Sequence, residues 1–380
     1  MAARTRKGSS KPRTGKRVAT ARAAKATDAR TRQPAARKST TLIPSGSDGK
    51  ATINDIARLA GVSKKTVSRV INRSPLVRPD TREKVEALIR EHDYAPDPMA
   101  RGLAFRKSFL IGMVYDNPNA QYIVHMQNGA LDSLRGSGFE LVVHPCDSRN
   151  ADYAEGVRQF VLQQRLYGVI LVPRVSEDEV LVEMLRQVGC RYARIGAIAL
   201  DDAARMITTN DRAGAVEVAQ YLDSLGHRHI GLITGPQRYL STRERGGGFL
   251  QTLAARGIKV PAKYVVEGGY TFESGVACAE RLLSLSPRPT AIFALNDEMA
   301  AGVYKAAYRL GLRVPDQLSV IGFDDSPLAT RLWPSLTTVR LPIRDMGLRA
   351  AALLLQPATD GPAVTFTPHL VVRESCQPPP

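Results

Sequence analysis

The sequence predicts a small all-α domain followed by an α/β body of two lobes. Apolar residues recur at helical spacing between residues 51 and 95, whereas strand and helix patterns alternate from Phe109 onward. That alternation runs for about 270 residues, which is more than one doubly wound sheet needs and therefore favours two similar lobes. A chain of 380 residues has room for both parts.

The small domain is predicted to contain three short helices with defined ends. Thr52 and Asp55 form the pattern of a capping box at the start of the first helix, and Gly61 supplies the turn residue that ends it. Ser63 can cap the second helix. The third helix is expected to begin at Pro79–Asp80, because proline suits the first helical position and an aspartate there complements the helix dipole. The tight turn between the first two helices makes them a helix-turn-helix pattern.

The body is predicted to be built on parallel sheets. Runs of apolar residues indicate strands that are buried on both faces, at residues 110–114, 168–172, 229–233, 291–294 and 318–323. Amphipathic stretches between them, for example 212–225 and 297–310, indicate helices. Strands that alternate with helices form a parallel sheet with helices on both of its faces.

The positive charge of the chain is concentrated at one end. Of a net +17, residues 1–50 carry +12, from 14 Lys and Arg against 2 Asp, and residues 51–108 carry +5, from 12 Lys and Arg against 7 Asp and Glu. The remaining residues are balanced, with 27 of each sign. This asymmetry indicates a polyanionic partner for the N-terminal end. For residues 1–50 alone, whose composition predicts disorder, a solvated basic tail explains the charge equally well.

The composition also excludes several classes of protein. No stretch approaches the ~20 apolar residues that a membrane span requires, and the polar, basic start of the chain lacks the apolar segment of a secretory signal. The four cysteines are far apart and lack metal-ligand spacing, so we expect no metal, no cofactor and a reducing cytoplasm. The nucleophile elbow, the phosphate loop and the dinucleotide fingerprint of common α/β enzymes are missing from the sequence, so we expect a protein that is not an enzyme.

The second helix of the small domain has a face suited to DNA. Its apolar residues turn toward the first helix, which leaves a polar face without an acid: Lys64, Lys65, Thr66, Ser68, Arg69 and Asn72. Lysine and arginine side chains pair with guanine edges in the major groove, and hydroxyl and amide groups hold phosphates. An ordinary solvated helix face is the alternative, but such a face usually carries acids as well. The pattern therefore predicts DNA binding.

These motifs together point to a family. Residues 52–63 and 66–72 closely resemble the LacI/GalR repressors, and the likeness continues through 81–85, 94–96 and 99–104 and almost to the end of the chain. The resemblance implies a transcriptional regulator that binds a pseudo-palindromic double-stranded DNA operator as a homodimer. It implies contacts to base edges from Lys64, Lys65 and Arg69. It also implies contacts to the DNA backbone from Thr52, Asn54, Ser63, Thr66, Ser68 and Asn72.

Two positions depart from the family pattern. Arg78 stands where relatives have a capping serine, so the third helix must depend on Pro79–Asp80 for its start. Gly102 replaces a serine in the short hinge helix, and glycine costs roughly 1 kcal/mol against alanine inside a helix. We therefore expect the hinge to be helical only on DNA. There the resemblance implies that Leu103 is an apolar wedge in the minor groove, beside Ala100, Arg101 and Ala104.

The body resembles the periplasmic sugar-binding fold that this family uses to sense effectors. A ligand in such a fold lies at the carboxyl ends of the parallel strands, here between the lobes. The resemblance places four residues at effector positions: Arg245, Tyr270, Asn296 and Asp324. For Asp324 a helix cap and for Tyr270 core packing are the structural alternatives. Further candidates, for which a loop role is equally good, are Asp116, Asn117 and Tyr122.

These residue types predict a sugar as the effector. Carboxylates and amides around an aromatic ring suit a hydroxyl-rich ligand in a wet cleft. A purine-responsive co-repressor of the same family and a solute-binding protein are the alternative functions. We expect no membrane partner, and a regulator of this kind lies with the nucleoid in the cytoplasm.

The predicted organisation has four parts. They are a basic tail at 1–50, a helix-turn-helix domain at 51–95, a hinge at 96–108 and the effector-binding and dimerisation body at 109–380. Within the body, the first lobe is expected at 109–207 and 341–370, and the second at 208–340 and 371–380.

Overall fold

The computed structural model describes residues 51–71, 74–94, 108–356 and 363–380. The chain divides into two compact units, residues 1–95 and 96–380. Several predictions fall outside the described residues: the basic tail at 1–50, Asn72, and the hinge residues Ala100, Arg101, Leu103 and Ala104.

The described part of the first unit consists of three helices, α1 (Ile53–Ala60), α2 (Lys64–Ile71) and α3 (Pro79–Glu91). Both hydrogen bonds of a capping box are present at the start of α1: Asp55 N donates to Thr52 Oγ1 and Thr52 N donates to Asp55 Oδ2, at 3.4 and 3.0 Å. Gly61 ends α1 with a φ of 67°, which glycine adopts without strain. Ser63 Oγ accepts from Thr66 N at 3.1 Å. The predicted caps and turn are thereby confirmed.

The three helices pack around one small apolar core, whose buried members are Ile56, Ala57, Ala60, Val67, Val70, Val77 and Val85. As predicted, α3 begins without a side-chain cap, since Arg78 makes no such bond and Pro79 occupies the first turn. Arg82 Nη2 instead donates to Ser74 O at 2.6 Å, which ties the start of α3 to the loop after α2. This packing fixes which face of α2 is free.

The second unit contains two sheets, one in each lobe. The first sheet is built from β1 (Leu110–Tyr115), β2 (Glu140–Pro145), β3 (Gly168–Leu171), β4 (Arg191–Gly196), β5 (Met206–Thr209) and β11 (Val364–Phe366). Its strand order is β11-β5-β4-β3-β1-β2, and every pairing is parallel.

The second sheet repeats this plan. It is built from β6 (Ile230–Thr234), β7 (Val265–Glu267), β8 (Ala291–Ala294), β9 (Ser319–Asp324), β10 (Thr337–Arg340) and β12 (His369–Val371). Its order is β12-β10-β9-β8-β6-β7, parallel except for the edge strand β12, which runs antiparallel to β10. Every residue of β6, β8 and β9 is buried, as the predicted double-sided cover requires.

Helices connect these strands and cover the sheets. They are α4 (Ala120–Leu134), α5 (Tyr153–Gln163), α6 (Glu179–Gln187), α7 (Asp211–Ser224), α8 (Leu240–Ala255), α9 (Phe272–Leu283), α10 (Asp297–Arg309) and α11 (Ile343–Leu355). None of the described helices is long and apolar enough to cross a membrane.

Two glycines allow α11 to pack closely against α4 of the first lobe. A Cβ atom on Gly129 of α4 would lie 1.8 Å from Arg344 O, and one on Gly347 of α11 would lie 2.2 Å from Met126 O. The two helices can approach this closely only because both positions are glycine. The chain therefore crosses back to the first lobe after β10.

The described chain passes between the lobes at three places: after β5, after β10 and between β11 and β12. Two of the predicted lobe boundaries need correction. The first lobe extends to Thr209 rather than 207, because β5 remains paired with β4 and β11 to its end. The second lobe resumes at His369 rather than 371, because β12 pairs with β10. Apolar patterns do not reveal which edge a short strand joins.

Candidate functional site

The polar face of α2 is open to solvent at its start. Lys64 and Lys65 are exposed, Arg69 is half-buried one turn further along, and Val67 and Val70 lie in the core on the opposite side. The helix contains no acidic residue, and Arg69 lies in its last turn. The face therefore presents three cations with no acid of its own helix to pair with them.

The neighbouring hydroxyl groups already serve the fold. Ser63 caps α2, and its Oγ lies 3.0 Å from Thr66 Oγ1. Thr52 Oγ1 donates to Asp55 Oδ2 at 2.8 Å as part of the capping box. Asn54, in contrast, is exposed. Hydroxyls held at helix starts are well placed to meet phosphates, since helix N-termini attract anions.

In the second unit, a cleft opens between the two lobes where the parallel strands end. It holds about 540 Å³ of empty space, including solvent at its mouth. Six of the seven predicted effector residues line it: Asn117, Tyr122, Arg245, Tyr270, Asn296 and Asp324. Residues that the sequence did not single out line it as well, among them Asn119, Thr209, Asp211, Tyr239 and Ser241.

A buried arginine organises the floor of the cleft. Arg245 Nε donates to Asp211 Oδ2 at 2.7 Å, and its Nη1 donates to Leu295 O at 2.8 Å and lies 3.5 Å from Asp324 Oδ1. The guanidinium carbon lies 3.7 Å from the centre of the Phe323 ring, a cation–π contact. Although burial alone would lower the pKa of Arg245, the carboxylates of Asp211 and Asp324 raise it. The guanidinium thus stays charged and fixed.

Asp324 reaches the cleft through an unusual backbone conformation. Its φ is 112° and that of Asp325 is 53°, a region that non-glycine residues seldom adopt. Asn119 Nδ2, from the first lobe, donates to Asp324 Oδ2 at 3.5 Å. Burial raises the pKa of Asp324 to about 8, although Arg245 opposes the rise. At neutral pH this carboxyl can therefore both donate and accept a hydrogen bond.

The aromatic wall of the cleft is made of tyrosines. Tyr270 packs edge to face against Tyr239, with ring centres 5.5 Å apart and an interplanar angle of 85°. The Tyr270 hydroxyl is hydrogen-bonded to Thr242 Oγ1 at 2.6 Å. A Cβ on Gly235 would lie 2.2 Å from the Tyr270 ring, so glycine is needed there. Tyr270 is therefore both a packing residue and a wall of the cleft.

The amides that line the cleft also cap helices. Asn296 Oδ1 accepts from Met299 N at 2.9 Å at the start of α10, and its Nδ2 donates to Tyr270 O at 3.0 Å. Asn119 Oδ1 accepts from Tyr122 N at 3.1 Å at the start of α4. These bonds fix both amides in place before any ligand arrives.

The structure does not bring Asp116 into the cleft. Its Oδ2 accepts from the Ser148 amide at 3.1 Å and from the Ser148 hydroxyl at 2.5 Å, so the carboxylate holds a loop of the first lobe. Only its carbonyl oxygen faces the other lobe, where it accepts from the Tyr239 hydroxyl at 3.3 Å. Asp116 therefore does not line the cleft, unlike the other six candidates, and its contact with an effector stays a prediction.

A second contact between the lobes was not predicted. Both carboxylate oxygens of Glu177 lie 3.2 Å from Leu240 N, at the first residue of α8. Burial raises the pKa of Glu177 to about 7, and the hydrogen bond from Leu240 opposes the rise. Glu177 and Tyr239 thus join the lobes on the side of the cleft where α8 begins. No group of three or more His, Cys, Asp or Glu is placed to hold a metal ion within the described part of the chain.

Comparison with known families accounts for both units. The family described as "Bacterial regulatory proteins, lacI family" matches residues 52–97, and the "Periplasmic binding protein-like domain" matches residues 219–376. The ribose operon repressor of Escherichia coli (strain K12) is 33% identical over 335 residues, which cover 86% of this chain and 99% of the relative. The chain belongs to the LacI family. It is a DNA-binding transcriptional regulator.

Other relatives and solved structures are also similar to this chain, in agreement with its membership of the LacI family. An "HTH-type transcriptional repressor PurR" of Edwardsiella ictaluri (strain 93-146) is 34% identical, covering 86% of this chain and 96% of the relative. The structure of the lac repressor dimer bound to operator and the anti-inducer ONPF matches with a TM-score of 0.71 and 28% identity, over 86% of this chain and 99% of that one. A complex of the transcriptional regulator CelR with cellobiose matches with a TM-score of 0.64 and 30% identity, over 86% and 100%.

Two of the cleft residues that were not predicted as effector contacts of this LacI-family regulator share one signal. Asn119 and Asp211 both follow a strand of the first sheet by a few residues, as the predicted Asn296 follows a strand of the second. A polar residue that follows each parallel strand is therefore the pattern that could have found them, since strand ends converge on the cleft. Glu177 carries no such signal, because it belongs to a short helical turn.

Proposed function

We propose that this LacI-family regulator is a homodimeric repressor of genes for carbohydrate use, and that a neutral sugar bound between the lobes changes its affinity for the operator. The observation that carries the choice of ligand is the pairing of the charges in the cleft. Arg245 is already neutralised by Asp211 and held by Leu295 O, and the other polar side chains that line the cleft are the carboxyl of Asp324, amides and hydroxyls. Such groups suit vicinal hydroxyls, which donate and accept together.

An anionic ligand fits this cleft less well. Arg245 is the single cation among its described lining residues, while Asp211 and Asp324 are both acids. A ligand carboxylate near Arg245 would approach the carboxylate of Asp211 within a buried site, where like charges repel strongly. We therefore favour a neutral sugar over a sugar acid or a phosphorylated sugar.

A purine also fits less well. A nucleobase is best held between two parallel aromatic faces, whereas Tyr239 and Tyr270 meet edge to face with ring centres 5.5 Å apart. That pair leaves no slot for a flat base. A pyranose needs one aromatic face for its apolar side and polar groups around its rim. The CelR structure with cellobiose shows that a relative with this fold binds a disaccharide.

On DNA, we propose that α2 lies in the major groove, with Lys64, Lys65 and Arg69 at base edges. A two-fold dimer would then read a pseudo-palindromic operator. At the hinge, the sequence favours Leu103 as a minor-groove wedge. Leu103→Ala should reduce DNA bending in a circular-permutation gel without changing effector affinity. Equal bending by the parent and the variant would show that Leu103 is not a minor-groove wedge.

Two further points follow from this function. A regulator that acts on the chromosome works in the cytoplasm, with the nucleoid. Relatives of the chain are transcriptional repressors, and the cleft binds rather than transforms its ligand, so we expect the sugar to be recovered unchanged after incubation.

Calorimetry of the full chain against a panel of ligands tests the proposal. The panel contains pentoses, hexoses, disaccharides, hexuronates and purines. We expect a neutral sugar to bind and Asp324→Ala to abolish that binding. Asp316→Ala is the matched control, because Asp316 is an exposed acid in the same lobe that pairs with Arg313. Binding of a purine or a hexuronate but no neutral sugar would overturn the proposal, as would parental affinity of Asp324→Ala for the sugar.

A further inference from the structure

Asp325, next to the cleft residue Asp324, makes two short ion pairs. Its Oδ2 accepts from Arg340 Nε at 2.6 Å, and its Oδ1 accepts from Arg373 Nη2 at 2.5 Å. The Asp325 side chain is 8% exposed and that of Arg373 is 15% exposed. The pair with Arg373 is therefore largely shielded from solvent, whereas Arg340 is 50% exposed, and both are charge-assisted hydrogen bonds, which are stronger than neutral ones. Asp325 does not line the cleft, so these bonds serve something other than ligand contact.

The two arginines lie where the chain passes between the lobes. Arg340 is the last residue of β10, directly before the segment that enters the first lobe, and it pairs in register with Asp324 of β9. Leu341, the next residue, lines the cleft, and its N–H points to Asp324 O at 3.4 Å. Arg340 therefore joins Asp325 to the second crossing between the lobes.

Arg373 joins Asp325 to the segment that follows β12, the strand into which the third crossing leads. It follows β12, the strand that the chain enters after leaving the first sheet. Its N–H donates to Thr337 Oγ1 at 2.9 Å, and its Nη1 donates to Leu336 O at 2.8 Å. The carboxylate of Asp325 thus bridges both chain segments that return near the cleft.

The backbone at this point requires such a restraint. Asp324 and Asp325 are consecutive non-glycine residues with φ of 112° and 53°. Conformations of this kind cost free energy and persist only where the surroundings hold them. The two ion pairs of Asp325 supply that hold, because they fix the residue that follows Asp324 from two directions. The orientation of the Asp324 carboxyl in the cleft depends on them.

We propose that Asp325 is a positioning residue, which couples ligand contact at Asp324 to the chain segments that join the lobes. The coupling rests on the proposed function, since it needs a ligand at Asp324. A ligand that displaces Asp324 would also displace Asp325, and through Arg340 and Arg373 it would displace the crossing after β10 and the segment after β12. A contact network with two arrangements is how a local contact becomes a change between lobes.

Hydrogen–deuterium exchange of the full chain, without any ligand, tests whether the two ion pairs of Asp325 restrain the segments that carry Arg340 and Arg373. We expect Asp325→Asn to raise the exchange of the amides of Arg340, Leu341 and residues 369–373, and Asp316→Asn to leave it parental. Arg340→Gln removes one of the two ion pairs at a half-exposed position, so it should fold and should raise exchange at residues 340 and 341 alone. Parental exchange at residues 340 and 341 in both Asp325→Asn and Arg340→Gln would overturn the proposal.

Ligand binding then separates a positioning role from a merely structural one. With a sugar that binds the parent, Asp325→Asn should lower affinity on the order of tenfold and reduce the sugar's effect on operator binding, while operator affinity without sugar stays within about twofold. Arg340→Lys keeps the charge and should behave as the parent. Raised exchange with parental sugar affinity and parental coupling would overturn the positioning role. If no neutral sugar binds the parent, the proposed function fails. The exchange measurement still shows whether the ion pairs of Asp325 restrain the two segments.

Discussion

Replacing Asp324 by asparagine removes a buried carboxyl group that titrates, so it should change how the free energy of unfolding depends on pH. Burial raises the pKa of this carboxyl to about 8, from an ordinary 3.8. Between those values the folded protein holds a proton that the unfolded chain has released, so the free energy of unfolding falls as pH rises, by about 1.4 kcal/mol per unit. From pH 6 to pH 8 the loss comes to about 2 kcal/mol, because the folded-state titration is half complete at pH 8.

Asp324→Asn keeps the shape of the side chain, and asparagine tolerates positive φ better than most residues. Between pH 6 and pH 8 its free energy of unfolding should fall by about 2 kcal/mol less than that of the parent. Urea denaturation at pH 6, 7 and 8 measures both curves. Asp297, whose pKa burial raises to about 7, is present in both proteins, and the exposed Asp316→Asn should follow the parent. Parallel loss of stability in parent and Asp324→Asn would refute the reasoning.

Three other changes, with Glu280→Gln as the control for the second, test the DNA contact, the buried ion pair of the cleft and the basic tail. Arg69→Ala should weaken operator binding by about 1–3 kcal/mol in an anisotropy titration, and unchanged affinity would remove Arg69 from the interface. Asp211→Asn leaves the buried Arg245 without its main counter-charge, so it should lower the free energy of unfolding by about 3–5 kcal/mol in urea. Glu280→Gln, in an exposed ion pair, should cost at most about 1 kcal/mol, and equal losses in the two variants would contradict this account of burial. Deleting residues 1–50 should flatten the slope of log operator affinity against log salt, whereas an unchanged slope would show that the tail does not touch DNA.

The local features of the fold could be predicted from the sequence because neighbouring residues determine them. Thr52 and Asp55 are three residues apart, and their capping box forms wherever α1 forms. The strand at Ala291–Ala294 is a short apolar run between amphipathic helical stretches, a pattern that favours a buried strand. Family resemblance added Arg245 and Asp324, whose roles no local pattern reveals.

Features that depend on distant residues could not be predicted. Glu177 and Leu240 meet across the lobes although they are 63 positions apart in the sequence, and neither has a pattern that points to the other. Asp116 was a candidate for the cleft or for a loop role, and Ser148, 32 residues away, accounts for its carboxylate. The sequence shows which groups are available, whereas tertiary packing decides which partner each one finds.

The most direct measurement is the affinity of the full chain for an operator selected from random DNA, with and without a neutral sugar that calorimetry shows to bind. A ligand shifts operator affinity only if it binds one arrangement of the lobes better than the other. We expect the sugar to change operator affinity by about 5–150-fold in the parent and to leave it unchanged in Asp324→Ala. A sugar that binds the parent and leaves operator affinity the same would contradict the account.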